Sequence, residues 1–274
     1  MRNTLGLILS GALLTLAISG CQKMDRPELA ADFPTDDNQV LLPGDLRFYA
    51  SFNPTDGPSP RWNAKDSISG NPALLFPTSY EPGINGNALK GTDNAGVLYL
   101  NANDFKDATN FSVSYWVKSA PRVGRTEFLF SLVEPNFSWH NSALFLLLEN
   151  QTTTSVTMKL AVKDQWLEGT FPKPMFDDSW HHIVYSYDNT TKKMTYYFDG
   201  QLVQGLAAGQ TNVTANVEFS KISNLILGGW NRHGSKPGPT DDWIKSYMGL
   251  LDQFRLYNKA LSASEALALF NAKL

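Results

Sequence analysis

The chain has 274 residues, a formal net charge of −3 and a single cysteine, so it can close no internal disulfide and has no basic surplus for holding nucleic-acid phosphates. Aromatic residues make up 12% and charged residues 18%, a balance that suits a packed domain and not a disordered chain.

Residues 1–20 carry one arginine and a run rich in leucine, isoleucine and alanine that is too short to span a bilayer, the pattern of a signal peptide. Small residues lead into the only cysteine at Ile18-Ser19-Gly20-Cys21. This resembles the bacterial lipobox, which implies that Cys21 is lipidated and becomes the new N-terminus. Residues 21–44 are polar, acidic and proline-bearing, without apolar periodicity, and read as a flexible tether. A coil of roughly 20 residues spans about 25 Å, enough to stand the domain off a membrane. The expected location is the bacterial outer membrane, on its periplasmic or cell-surface face, with the lipid as the only membrane contact.

Residues 45–274 form one sandwich-sized domain. Strand-like runs recur from Ala73 to Phe76, Gly96 to Leu100, Glu127 to Val133, Ala143 to Leu148 and Ser155 to Val162, with glycine and proline between them and no helical pattern. The stretch from Trp180 to Val203 organises the rest. Ile183, Tyr185 and Tyr187 alternate with Val184 and Ser186, a period of two that assigns a strand. A polar turn leads to Met194–Phe198, and Asp199-Gly200 then predicts a second tight turn, because a type I′ hairpin needs positive φ. Trp180 is expected in the core. Near the end, Ser262 and Glu265 flank the start of an Ala/Leu run as a capping box opening a short helix.

Trp-His-His-hydrophobic at 180–183 and aromatic-Asp-Gly at 198–200 resemble the central hairpins of laminin-G-like, concanavalin A-like domains. Other stretches follow in the family's order: DLRFYASFN (Asp45 to Asn53), GNALKG (Gly86 to Gly91), FSVSYWVKS (Phe111 to Ser119), LILGGW (Leu225 to Trp230) and YMGLLDQFRLYNKALSASE (Tyr247 to Glu265). The resemblance implies an all-β, two-sheet antiparallel jelly-roll sandwich with a short C-terminal helix.

That superfamily includes glucanases, many of which place catalytic carboxylates as Glu-x-Asp-x-x-Glu on one strand. No such string occurs here. The nearest imitation is Asp164-x-Trp166-x-Glu168, whose ends lie about 13 Å apart if extended, beyond the ~5–9.5 Å that glycosidase mechanisms require. A hairpin turn at Lys163-Asp164-Gln165 is the simpler reading. Asp177-Asp178 and Asp241-Asp242 sit in turns from which a carboxylate pair could still be assembled. His181 and His182 are adjacent on a strand, so they point to opposite faces and cannot share an ion. The resemblance implies at most one metal, calcium, at Asp252 in Gly249-Leu250-Leu251-Asp252-Gln253; calcium takes six to eight oxygens, so backbone carbonyls would have to join it, with Asp56 or Asp66 of the opening-strand loop as candidate further donors. A buried aspartate bonded to backbone is the competing reading.

Sugar sites pair an aromatic platform with amide, imidazole or carboxylate groups. Two segments have that chemistry: residues 136–141, with Trp139 and His140, and residues 230–243, with Trp230, Asn231, His233, Asp241, Asp242 and Trp243. The second is long for a sandwich connection. The expected function is therefore non-catalytic recognition of a glycan or glycosylated partner. A structural or protein-interaction module and a glycoside hydrolase are the alternatives.

Overall fold

The computed structural model describes residues 44–55, 57, 60–135, 142–238 and 241–273. Cys21, Asp56, Trp139 and His140 lie outside the described residues, as do the expected signal and nearly all of the expected tether.

Fifteen strands are described. In chain order they begin with β1 (Leu46–Ala50), β2 (Ser79–Pro82), β3 (Asn87–Lys90), β4 (Val97–Tyr99) and β5 (Phe111–Lys118). Next come β6 (Thr126–Val133), β7 (Leu144–Glu149), β8 (Val156–Val162), β9 (Gln165–Phe171) and β10 (His181–Asp188). The last five are β11 (Lys193–Phe198), β12 (Gln201–Leu202), β13 (Asn224–Leu227), β14 (Ile244–Ser246) and β15 (Leu250–Tyr257). One sheet runs β12-β11-β10-β5-β15-β3-β2, with β1 also paired to β15; the other runs β4-β13-β6-β7-β8-β9, with β14 also paired to β6. This is the expected two-sheet sandwich. One pairing departs from it: β14 lies parallel to β6, from Ile244 opposite Thr126 to Ser246 opposite Phe128.

The central hairpin forms as read. β10 and β11 pair from Ile183↔Phe198 to Asp188↔Lys193, and the tight turn after β11 has Asp199 and Gly200 at φ of 50° and 72°, the left-handed region a type I′ turn demands. Ile183, Tyr185 and Tyr187 enter the core between the sheets. Val184 faces the other way, into a smaller cluster with Leu46, Tyr49 and Tyr197. Helix α1 (Pro60–Asn63) and helix α2 (Ala208–Thr211) are single turns.

What buries the second face is helix α3 (Ala263–Ala272), capped as the sequence specified. Ser262 Oγ accepts from the Glu265 N–H at 3.3 Å, and Glu265 Oε2 accepts from the Ser262 N–H at 2.8 Å, which satisfies donors that a helix start would otherwise leave open. Ala266 and Leu269 pack onto the sheet with Tyr257 and Leu261. Phe270 stacks on Trp116 at 5.6 Å between ring centroids.

Two local expectations are corrected. Residues 73–76 contribute only a single bridge, Leu75 to Leu98, because the segment touches the sheet edge once and turns away. Trp180 is half-buried, since it precedes the first paired residue of β10. Among the described residues, the fully buried tryptophans are Trp116 and Trp230.

Candidate functional site

The excursion from residue 228 to residue 243 leaves and rejoins the same strand. β13 ends with Leu227 opposite Phe130 of β6, and β14 begins with Ile244 opposite Thr126 of β6. Its first half folds back onto the outer face of the second sheet. The Gly228 N–H donates to Leu129 O at 2.7 Å and the Gly96 N–H to His233 O at 3.1 Å. A side chain on Gly229 would collide with His233 at its Cβ, so close packing requires glycine there.

This geometry divides the candidate residues. Trp230 is fully buried, its ring 6.2 Å from Phe128 and 5.7 Å from His233, within a cluster that includes Phe145, Leu147 and Ile244. It is no sugar platform but the anchor of the excursion, a correction to its expected role. Asn231 and His233 are buried too. The Asn231 amide donates to Pro237 O at 3.0 Å, closing the turn, and burial with Arg232 nearby pushes His233 down to about 4, so it is neutral at neutral pH. The outward side carries Arg232, Asp241, Asp242 and Trp243. Trp243 is 54% exposed. Arg232 forms an ion pair with Asp242, and that hydrogen bond holds Asp242 below the usual carboxylate range.

Beside the excursion, Glu134, Pro135, Ser223, Asn224, Asn231 and Lys236 line a cavity of ≈ 290 Å³. Its walls are preset: Asn224 donates to Tyr99 O and Leu100 O at 3.1 and 3.0 Å, and Lys163 Nζ bonds to Glu134.

Sequence reading missed Trp166 as a surface aromatic. It lies half-buried on β9, 5.3 Å from Phe145, with Lys159 Nζ 5.8 Å from its ring centre. Alternation along β9 was the available signal, since Trp166, Glu168 and Thr170 share the face opposite core residues Leu167 and Phe171. Glu168 pairs with Lys159 at 3.3 Å, and Lys159 also meets Glu149 at 3.0 Å. Lys163, at φ 54°, turns β8 into β9, as the hairpin reading required.

The calcium expectation at Asp252 finds no second carboxylate among the described residues. Among the described residues, no three His, Cys, Asp or Glu side chains gather. Asp66 is spent elsewhere: it accepts from the N–H groups of Tyr49, Ile68 and Ser69 at 3.0–3.1 Å. Asp252 is buried and accepts from the Ile84 N–H at 2.9 Å. Asn53 Oδ1 accepts from the Asn87 N–H at 2.9 Å, so the two side chains together hold the turn between β2 and β3. Asp252 is the backbone-bonded carboxylate of the competing reading. Burial pushes it up to about 7 against those hydrogen bonds. His181 and His182 do diverge, the first contacting Phe198 and the second Trp116.

Residues 91–266 match the family profile described as the concanavalin A-like lectin/glucanases superfamily. The chain belongs to that superfamily. No curated protein sequence matches it. Solved structures share the superfamily fold at low identity. Domain 4 of AbnA, an extracellular arabinanase from Geobacillus stearothermophilus solved with arabinotriose, is similar over 82% of this chain and 98% of its own, at 18% identity and a TM-score of 0.52. Botulinum neurotoxin type C, whose cell entry depends on two ganglioside molecules, is similar over 84% of this chain and 51% of its own, at 14% identity and a TM-score of 0.56. Trypanosoma rangeli sialidase, solved with difluorosialic acid, is similar over 82% of this chain and 32% of its own, at 17% identity and a TM-score of 0.54. This superfamily member thus spans nearly all of the arabinanase domain but only about half of the neurotoxin chain and a third of the sialidase.

Proposed function

We propose that the domain is a non-catalytic carbohydrate-recognition module that uses the outward side of the 228–243 excursion. The observation that carries this reading is Trp243, 54% exposed beside the Arg232–Asp242 pair, on the scaffold of a lectin and glucanase superfamily. An exposed indole offers the apolar face of a sugar about 1 kcal/mol beyond area burial, by analogy with aromatic pairs, while the guanidinium and carboxylate fix hydroxyl geometry. The arabinotriose- and ganglioside-binding relatives support a glycan as the ligand class. Display through a lipid on Cys21 is part of the proposal, because many copies on one surface strengthen weak binding to a polymer.

Affinity electrophoresis of the soluble domain through gels containing arabinan, xylan or mucin tests the reading. Retardation by at least one polymer, abolished in Trp243→Ala, is expected. Retardation unchanged in Trp243→Ala removes the excursion from the site, and retardation by none of a broad polysaccharide panel removes the function.

A further inference from the structure

Glu127, on β6, is fully buried, and three side chains from two connections converge on it. Arg125 Nε donates to Oε1 at 3.1 Å and Gln151 Nε2 to Oε2 at 2.9 Å, with Arg122 Nε 3.7 Å from Oε1. Each of the three also holds something else. The Gln151 side-chain oxygen accepts the Arg122 N–H at 3.0 Å, the Arg122 guanidinium donates to Met248 O at 3.0 Å, and Arg125 Nη2 donates to Asp93 Oδ1 at 2.9 Å and to Ser246 O at 3.4 Å. Buried charges are kept when they are paired and hydrogen-bonded, and this one is paired with the arms that fix the β5–β6 connection against β14 and the chain leading into β15.

The same contacts bear on Trp243. β14 is three residues long and lies parallel to β6, with Ile244 opposite Thr126 and Lys245 opposite Glu127, so Trp243 and Arg125 each stand one residue ahead of the first pair. Both belong to tight turns that enter these strands: the Arg125 N–H donates to Arg122 O at 3.2 Å, and the Ile244 N–H to Asp241 O at 3.3 Å. So short a strand gives its leading turn little rigidity of its own. Arg125 supplies it from the neighbouring turn, through Ser246 O and through Asp93, whose neighbour Thr92 accepts from Ser246 Oγ at 2.8 Å.

We propose that Glu127, acting through Arg125, is the positioning residue of the Trp243 face and holds the indole where a sugar ring meets it; this rests on the glycan-recognition reading of that face. A binding platform is as well placed as the residues that lock it. Glu127 touches no ligand: it fixes Arg125, Arg125 fixes β14, and β14 presents Trp243. Acid separates this role from a purely structural one. Around the carboxylate stand Arg122, Arg125, Lys245 and Tyr247, with Asp93 beyond Arg125 and Glu149 bonded to the Thr126 hydroxyl. Burial outweighs Gln151 and the two arginines and raises Glu127 above the ordinary glutamate value. Its proton therefore returns at a higher pH than on an exposed glutamate, which ends the charge attraction on Arg125 and, by linkage, does not lower the stability of the fold.

¹⁹F spectra of the full chain in detergent, labelled with 5-fluorotryptophan, test the proposal, with the Trp243 and Trp116 resonances identified by their loss in Trp243→Phe and Trp116→Phe. In Glu127→Gln and in Arg125→Met the Trp243 resonance should shift or broaden at pH 7.5, while that of Trp116, buried on the other sheet, stays in place. The parent should show the same change on acidification. Val123→Ser, on the exposed part of the β5–β6 connection and outside these contacts, should change neither resonance. Affinity electrophoresis should show polysaccharide held roughly fivefold more weakly in both variants, the worth of the aromatic contact, and no more weakly in the double variant, because residues acting in series lose their effect once. Arg125→Met decides the matter if Glu127→Gln does not fold. An unchanged Trp243 resonance with unchanged retention overturns the proposal. So does a change shared by Trp116, which would make Glu127 structural only, and so do additive losses in the double variant, which would remove Arg125 as its arm. Retention of no polymer by the parent removes the glycan reading alone, and the Trp243 resonance then decides the positioning.

Discussion

Asp199 Oδ2 lies 2.9 Å from His181 Nδ1, and the other oxygen of the same carboxylate accepts the His182 N–H at 2.8 Å. The turn after β11 is thereby tied to the start of β10 twice, once through a side chain and once through backbone. On the far side of the ring, His181 Nε2 faces Asp177 Oδ1 at 3.0 Å. With a carboxylate at each nitrogen, both can be satisfied only when the imidazole carries two protons. Burial opposes the charge, but the hydrogen bonds to Asp199 and Asp177 outweigh it, and His181 is raised above the ordinary histidine value.

The sign of the pH effect follows from linkage. A group with a raised folded pKa contributes fully below its unfolded value, near ~6.5, and loses that contribution as pH climbs through the folded value. His181→Gln should therefore destabilise the domain more at pH 5.5 than at pH 9 in urea unfolding followed by tryptophan fluorescence. An equal loss at both would mean that the clamp is uncharged. His182 is the opposite case: burial, with Arg255 nearby, pushes it down to about 3, so measurement should be as variant minus parent to cancel its slope.

Asp252 gives a slope of its own. With a folded value of about 7 against ~3.9 unfolded, the native state keeps a proton that the unfolded chain has lost. Between those values the parent's stability falls as pH rises. Asp252→Asn retains an oxygen for the Ile84 N–H and has no charge to bury. Its stability relative to the parent should improve from pH 4.5 to pH 7.5, read from urea midpoints; a flat difference would show that Asp252 titrates normally.

Tryptophans on the excursion should separate stability from binding. Trp230→Ala removes a fully buried side chain and should cost about 3–5 kcal/mol. Trp243→Ala, and Asp241→Ala combined with Asp242→Ala, should change stability by under about 1 kcal/mol while abolishing polysaccharide retention. Thermal melts alongside affinity electrophoresis decide this. A large loss of stability in Trp243→Ala would make that residue architectural.

Anchoring is tested separately from recognition. Cys21→Ser, expressed from residue 1, should move from the detergent phase to the aqueous phase in Triton X-114 partitioning. A variant that stays with detergent would contradict lipidation at Cys21.

Legibility in the sequence tracked how local the physics was. Asp199-Gly200 could be read as a turn because positive φ is a property of the residues themselves, and Ser262 with Glu265 as a cap because both partners lie within one helical turn. Alternation at 183–187 sorted side chains to two faces, and the order of the family motifs supplied the sandwich. Tertiary structure decided what lies over each face. Helix α3 covers the outside of the first sheet and buries Trp116; the returning excursion buries Trp230 on the outside of the second and leaves Trp243 in solvent; and Trp180 stays half-buried just ahead of β10. The same holds for carboxylates: Asp252 holds the turn between β2 and β3, while Asp66 ties β1 at Tyr49 to the turn at Ile68 and Ser69. A two-residue period says which side of a strand a residue takes, but whether that side meets water depends on segments far along the chain, and Ile84 and Asp252 bond across 168 residues.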